Sequence, residues 1–237
     1  MRDERANPGG DGAAPRGTAL TSPQAAATAI TLAAAVGTAA AGWVISVREM
    51  NGMDMGVATG LGSLAFFIAL WVGMMAAMML PGAAPVLVRC ARGTRPVLAV
   101  PRLAGAYLGV WTLAGLAVYA LYRPHGPVAA GAITIAAGIY ELTPLKRRCR
   151  RHCRERARTG SELGRYCAGS SIGLMLVFVA VGVMSITWMA VITVLVTLQK
   201  LLPPKAAIDM PLALAIIGLG IVILAAPSWI PGLAGGM

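Results

Sequence analysis

Cys149, His152 and Cys153 fall in one basic stretch, Leu142-Thr143-Pro144-Leu145-Lys146-Arg147-Arg148-Cys149-Arg150-Arg151-His152-Cys153-Arg154. On a helix the two cysteines stand one turn apart on the same face, and His152 lies three residues from Cys149, so all three can converge on one ion. The flanking arginines are expected to lower the thiol pKa and favour the thiolate, the form that nucleophiles and metal ligands both require. Cys167 follows fourteen residues after Cys153. A third thiolate within reach turns the pair into a soft-metal site, because cysteine selects Cu(I) or Zn over hard cations. The spacing is not that of a zinc finger, and the same stretch also reads as a basic helix facing lipid headgroups, with two small cysteines on it.

Methionine supplies the second constellation. The chain has 13 methionines, and Met74, Met75, Met78 and Met79 form two i, i+4 pairs. Thioethers hold Cu(I) and stay neutral in lipid, where a thiolate is expensive; methionine also simply fills gaps between helices. Asn51-Gly52-Met53-Asp54-Met55 places two thioethers around a carboxylate, and Ser185, Met189, Thr193 and Thr197 form a stripe expected to face a helix-bundle interior. Glu141, an acidic residue within an apolar run, is either a functional group or the partner of Arg102, Lys146 or another loop cation. His125, in the turn Arg123-Pro124-His125-Gly126-Pro127, reads as a solvated loop residue. No nucleophile elbow, phosphate loop, HExxH or dinucleotide fingerprint is present, so nothing marks the chain as an enzyme.

The elements that must position these groups are apolar helices. Of 237 residues 57% are hydrophobic and 12% charged, about half the charge of a soluble domain. Uncharged runs of about 20 residues are long enough to cross roughly 30 Å of hydrocarbon. They predict an all-α, polytopic transmembrane helix bundle of about six spans, near 25–47, 57–80, 103–122, 127–143, 171–198 and 211–230. The fifth would measure roughly 42 Å as an ideal helix, so it must tilt, kink or protrude. Residues 1–24 are expected to be a disordered cytoplasmic tail, 25–237 the membrane domain, and 144–170 a basic, cysteine-containing cytoplasmic loop that begins as a helix after Pro144. Gly56/Gly60 and Gly105/Gly109 are small-xxx-small spacings that would let helices approach closely.

Charge orients the bundle. Sixteen of the 20 Lys and Arg fall on one face, and Arg48, Arg123, Lys200 and Lys205 on the other. The positive-inside rule then puts both termini in the cytoplasm and the chain in the cell membrane as a multi-pass protein. The net charge of +11 is thus an orientation signal and does not call for nucleic acid. All four cysteines, Cys90 included, fall on the cytoplasmic side as free thiols or ligands.

Leu61-Gly62-Ser63 leading to Phe66-Phe67, then Trp71 to Met79 with Pro81 and Pro85, resembles the signature of a bacterial family of predicted metal-binding integral membrane proteins, domain of unknown function 2182. Leu142 to Lys146 with Cys149, Cys153 and Arg154 is similar to its second signature, and Cys167 with Gly169, then Gly182-Val183-Met184 and Trp188-Met189, resembles the third. The likeness covers about residues 51–205. It implies membrane location and metal handling and brings no substrate or reaction. Members commonly carry further cysteines where this chain has Ser170 and Ser171, and a glutamate where it has Gln199, so candidate ligands are missing here.

Taken together, these features lead us to expect a membrane protein that binds or handles a soft metal ion, copper foremost, through Cys149, Cys153, Cys167, His152, Met74, Met75, Met78 and Met79. Apart from the lipid bilayer, its expected partner is a cytoplasmic or membrane protein. The alternative is a non-catalytic scaffold or accessory subunit whose basic loop docks a partner or anionic lipid.

Overall fold

The computed structural model describes residues 22–51, 60–92, 96–123, 125–155, 159–202 and 209–229. Among them the chain is all helical: α1 (Ser22–Met50), α2 (Leu64–Ala91), α3 (Pro96–Leu121), α4 (Pro127–Glu141), α5 (Pro144–Glu155), α6 (Gly160–Gly182), α7 (Ile186–Leu201) and α8 (Asp209–Ala225), with a 3-10 turn at Pro227–Trp229. The tail expected over 1–24 lies almost wholly outside the described residues, as do Gly52 to Met55 and Gly56.

Helix α2 is the centre of the bundle. Phe67, Leu70, Trp71 and the run from Met74 to Leu80 are buried, so the helix is covered all round, as expected of a helix that is apolar on every face. Helices α1, α3 and α7 lie against it, α6 packs on α3, α4 and α5, and α4 runs along α8. The α4–α8 contact is close because both helices present glycine: a side chain on Gly131 would meet Leu224, and one on Gly220 would meet Ile135. Gly105 and Gly109, by contrast, face open space, so the close approach expected at that pair does not occur. The outer surface is apolar, with Val36, Ile45, Leu113, Val194, Leu214 and Ile221 all exposed. Such a belt suits lipid and would be a liability in water.

Four described helices, α1, α2, α3 and α6, are long and apolar enough to cross a membrane. Helix α4 joins them as a fifth if it is taken with α5, to which it bends by 66°. Helices α7 and α8, of 16 and 17 residues, are shorter.

The run over 171–198 is not a single long helix. It breaks at Val183–Ser185, where the Ser185 amide donates to the Gly182 carbonyl at 3.1 Å, and α7 returns along α6 as a hairpin. Lys200 therefore comes back to the level of Cys167, its Nζ 2.7 Å from Sγ, and does not sit on the opposite face. Asp209, which opens α8, is at that same end, bonded to Arg150 at 2.8 Å. Helix α8 then runs antiparallel to α4, so its last turn lies at the other end, away from the cysteines; the same face was expected for both. No proline or charge marks the break, and only the backbone turn reveals it. The expected loop over 144–170 is likewise mostly helix, divided between α5 and the first turns of α6.

Candidate metal centre

A cavity of about 240 Å3 opens between α2, α5, α6 and α7, lined by Gly82, Pro85, Val86, Arg89, Arg150, Cys153, Leu163, Cys167, Ser170 and Lys200 among others. Its floor is Cys167, 1% exposed. The Cys167 sulfur accepts from Lys200 Nζ at 2.7 Å and lies 3.0 Å from the Tyr107 hydroxyl, and Cys153 shares the cavity wall with it. Lys200 Nζ is also 3.2 Å from Met79 Sδ. A thiol and a thioether thus contact one ammonium group, and a second thiol, that of Cys153, lines the same cavity.

The placement follows from local sequence. Thr159 and Glu162 form a capping box: the Glu162 amide donates to Thr159 Oγ1 at 3.3 Å, and the Thr159 amide donates to Glu162 Oε2 at 3.3 Å. The box starts α6 at Gly160 and puts Cys167 two turns in, facing the core. The T-x-x-E pattern is readable in the sequence and is the signal that would have replaced the expected loop with a helix. Cys153 comes from α5, whose bend after Glu141 folds it back over the end of the bundle. Met79 comes from the buried face of α2. Lys200 reaches the sulfurs because Gly82 leaves room: a side chain there would collide with the lysine stem. The charge pattern along the sequence puts Lys200 in an outer loop, and only the α6–α7 hairpin brings it in.

The remaining expected ligands are distributed differently. Cys149 Sγ rests against Gly169. Burial raises its pKa, outweighing the opposite pull of Arg148, so the lowering expected from the arginines does not occur at this residue. His152 Nδ1 lies 3.1 Å from the Arg148 carbonyl oxygen, and its ring packs on Tyr166 at 5.0 Å, so the imidazole does not line the cavity. Met74, Met75 and Met78 are fully buried in the core and do not line it either. Ser170 does line the cavity, with its hydroxyl donating back to the Cys167 carbonyl at 2.9 Å. His125 is not a free loop residue: its Nε2 lies 3.0 Å from the Ala180 carbonyl oxygen and ties the α3–α4 turn to α6.

Beside the sulfur cluster lies a buried ionic one. Glu141 and Lys146 are both fully buried and ion-paired; Lys146 also reaches Asp209 at 3.2 Å. Arg150 donates to both oxygens of Asp209, at 2.8 and 3.0 Å, and Gln199 donates to Glu141 Oε2 at 2.9 Å. Glu141 Oε1 has no partner among the described residues and fills the space over Gly173. The network joins α4, α5, α7 and α8. It thereby fixes α5 and α7, the helices that carry Cys153 and Lys200.

No set of three His, Cys, Asp or Glu side chains converges as ligands among the described residues. The convergent donors are two thiols and a thioether, an all-sulfur set that suits a soft ion of low coordination number and suits hard cations poorly. No curated protein and no solved structure matches this chain. The sequence pattern of a family of copper chaperones, PpoB2, matches residues 68–223, about two thirds of the chain and the whole of this site, and the protein belongs to that family.

Proposed function

We propose that this protein is a multi-pass membrane copper chaperone that takes up Cu(I) at Cys153 and Cys167, with Met79 as a third sulfur donor, and passes it to an acceptor. The observation that carries the reading is that Cys153 and Cys167 line one cavity, with Cys167 and Met79 held together on the Lys200 ammonium group. Thiolate and thioether sulfur are the ligands that favour Cu(I). A cavity that leads to Cys167 gives an ion a way in. Lys200, held against Cys167, would favour the thiolate form, and Arg89 at the wall would draw a negatively charged carrier. Cys149, His152 and the methionines Met74, Met75 and Met78 then lie outside the primary set.

Membrane integration is supported by the long apolar helices and the exposed apolar belt. A cytoplasmic position for the sulfur end is supported by the gathering of arginines there, which Lys200 now joins. The exposed arginines of α5, Arg147, Arg148 and Arg151, favour a second role for the same end, docking an acidic acceptor protein or anionic lipid.

The test is a Cu(I) titration of the purified protein in detergent against a chromophoric Cu(I) chelator. The native chain is expected to hold one equivalent in an all-sulfur coordination shell visible by X-ray absorption. Cys153→Ser and Cys167→Ser should each lose it, while Cys90→Ser should not. Equal copper in all four proteins would overturn the reading. Docking is separated by changing Arg147, Arg148 and Arg151 to Gln, which should leave copper binding intact and reduce transfer.

A further inference from the structure

The residue at the centre of the sulfur cluster is a cation. Lys200 Nζ is 2.7 Å from Cys167 Sγ and 3.2 Å from Met79 Sδ, and its stem lies in the gap left by Gly82. Arg150, the other cation whose contacts at this cavity are defined, is engaged by both oxygens of Asp209. The ammonium is thus a positive charge held directly against the Cys167 and Met79 sulfurs, in space that a side chain on Gly82 would take.

We propose that Lys200 sets the valence of the ion that the cluster accepts, selecting monovalent soft ions over divalent ones. The inference rests on the copper site proposed above and names a determinant of its specificity. With Cys153 and Cys167 as thiolates, the two ligands carry two negative charges, and Lys200, in contact with Cys167, cancels one. A monovalent ion brings the ligands and this lysine to neutrality, while Arg89 on the wall is exposed and screened by water. A divalent ion of similar softness, such as Zn(II) or Cd(II), leaves one positive charge without a counter-ion in a site whose floor is buried. Uncompensated charge is what a buried environment penalises most. Sulfur ligands alone do not make this distinction, because thiolates bind Zn(II) and Cd(II) as readily as they bind Cu(I). A fixed cation beside the ligands supplies the missing criterion.

The experiment compares Ag(I), a redox-stable monovalent probe, with Cd(II), whose thiolate absorption reports binding directly. Both are titrated into the whole chain in detergent and into Lys200→Leu and Lys200→Arg. The native protein should prefer Ag(I). Lys200→Leu, which removes the charge without adding a donor, should move the ratio of the two dissociation constants toward Cd(II) by at least about tenfold, the order expected for one unit charge a few ångströms away. Lys200→Arg, which keeps the charge, should hold the ratio within about threefold of native. Gly82→Ala, which crowds the lysine stem without touching the ligands or the charge, is the second variant and should move the ratio in the same direction by a smaller factor. A ratio unchanged in Lys200→Leu, or an equal weakening toward both ions, would overturn the proposal while leaving the sulfur site standing. Failure of the native protein to bind either ion would remove the site itself and the proposal with it.

Discussion

Replacing Lys146 by Met should destabilise this protein more than replacing Glu141 by Gln, and the reason lies in how the two charges are shared. Glu141 has one cation, Lys146, and a neutral donor, Gln199 at 2.9 Å. Lys146 has two carboxylates, Glu141 and Asp209, the latter at 3.2 Å. In Lys146→Met the carboxylate of Glu141 stays in place, fully buried, with an amide as its sole remaining donor, while Asp209 keeps Arg150. Removing one partner of a buried pair costs about 3–5 kcal/mol. In Glu141→Gln the lysine still has Asp209, so the loss should stay nearer the roughly 1–3 kcal/mol of an imperfectly satisfied polar group. The double variant removes both charges and should be more stable than Lys146→Met alone, giving a coupling of about 2 kcal/mol or more. The assay is unfolding by sodium dodecyl sulfate titrated into mild-detergent micelles, read by the fluorescence of the 5 tryptophans. A Glu141→Gln loss as large as that of Lys146→Met, or a double variant whose loss equals the two singles combined, would refute the account of the network.

Three further outcomes follow from the geometry. Gly131→Val should force α4 and α8 apart, because its branches meet Leu224 and the Gly220 backbone, and should lower stability by about 1–3 kcal/mol in the same unfolding assay. Thr159→Ala removes the capping hydrogen bond at the start of α6 and should cost about 1 kcal/mol, with faster hydrogen exchange confined to the first turns before Cys167. Cys149, whose thiol is held above its ordinary pKa by burial, should be alkylated by iodoacetamide more slowly than a free cysteine at pH 7.5. Its rate should keep climbing with pH where the free thiol has levelled off, and a rate equal to that of free cysteine at every pH would contradict this.

The helical class and the apolar belt were readable in the sequence because both depend on composition over long windows, and length alone separates a membrane-sized run from a core helix. The buried methionines of α2 were legible as a cluster for the same reason. What pattern reading could not find was the turn inside 171–198. Gly182-Val183-Met184-Ser185 contains no proline and no charge, and the apolar run continues on both sides of it. That one omission moved Lys200 to the wrong end and reversed the direction of α8. The ligand set suffered from a different limit. Helical spacing correctly says that Cys149 and Cys153 share a face, but not which neighbour each meets, and Cys149 meets Gly169 while Cys153 meets Cys167. Lys146 as partner of Glu141 was within reach of the sequence, since only a few cations lie close enough along the chain.

Cys153 and Cys167 belong to separate helices, and the pair exists only once α5 has been folded back against α6. Copper held there is consequently a ligand of the assembled protein and not of the unfolded chain, so occupancy and integrity are thermodynamically linked. At a free ion level one hundred times the dissociation constant, such linkage adds about 2.7 kcal/mol to stability. An unloaded carrier would then be the more easily degraded form, and the cell's copper supply would set how much of this protein persists.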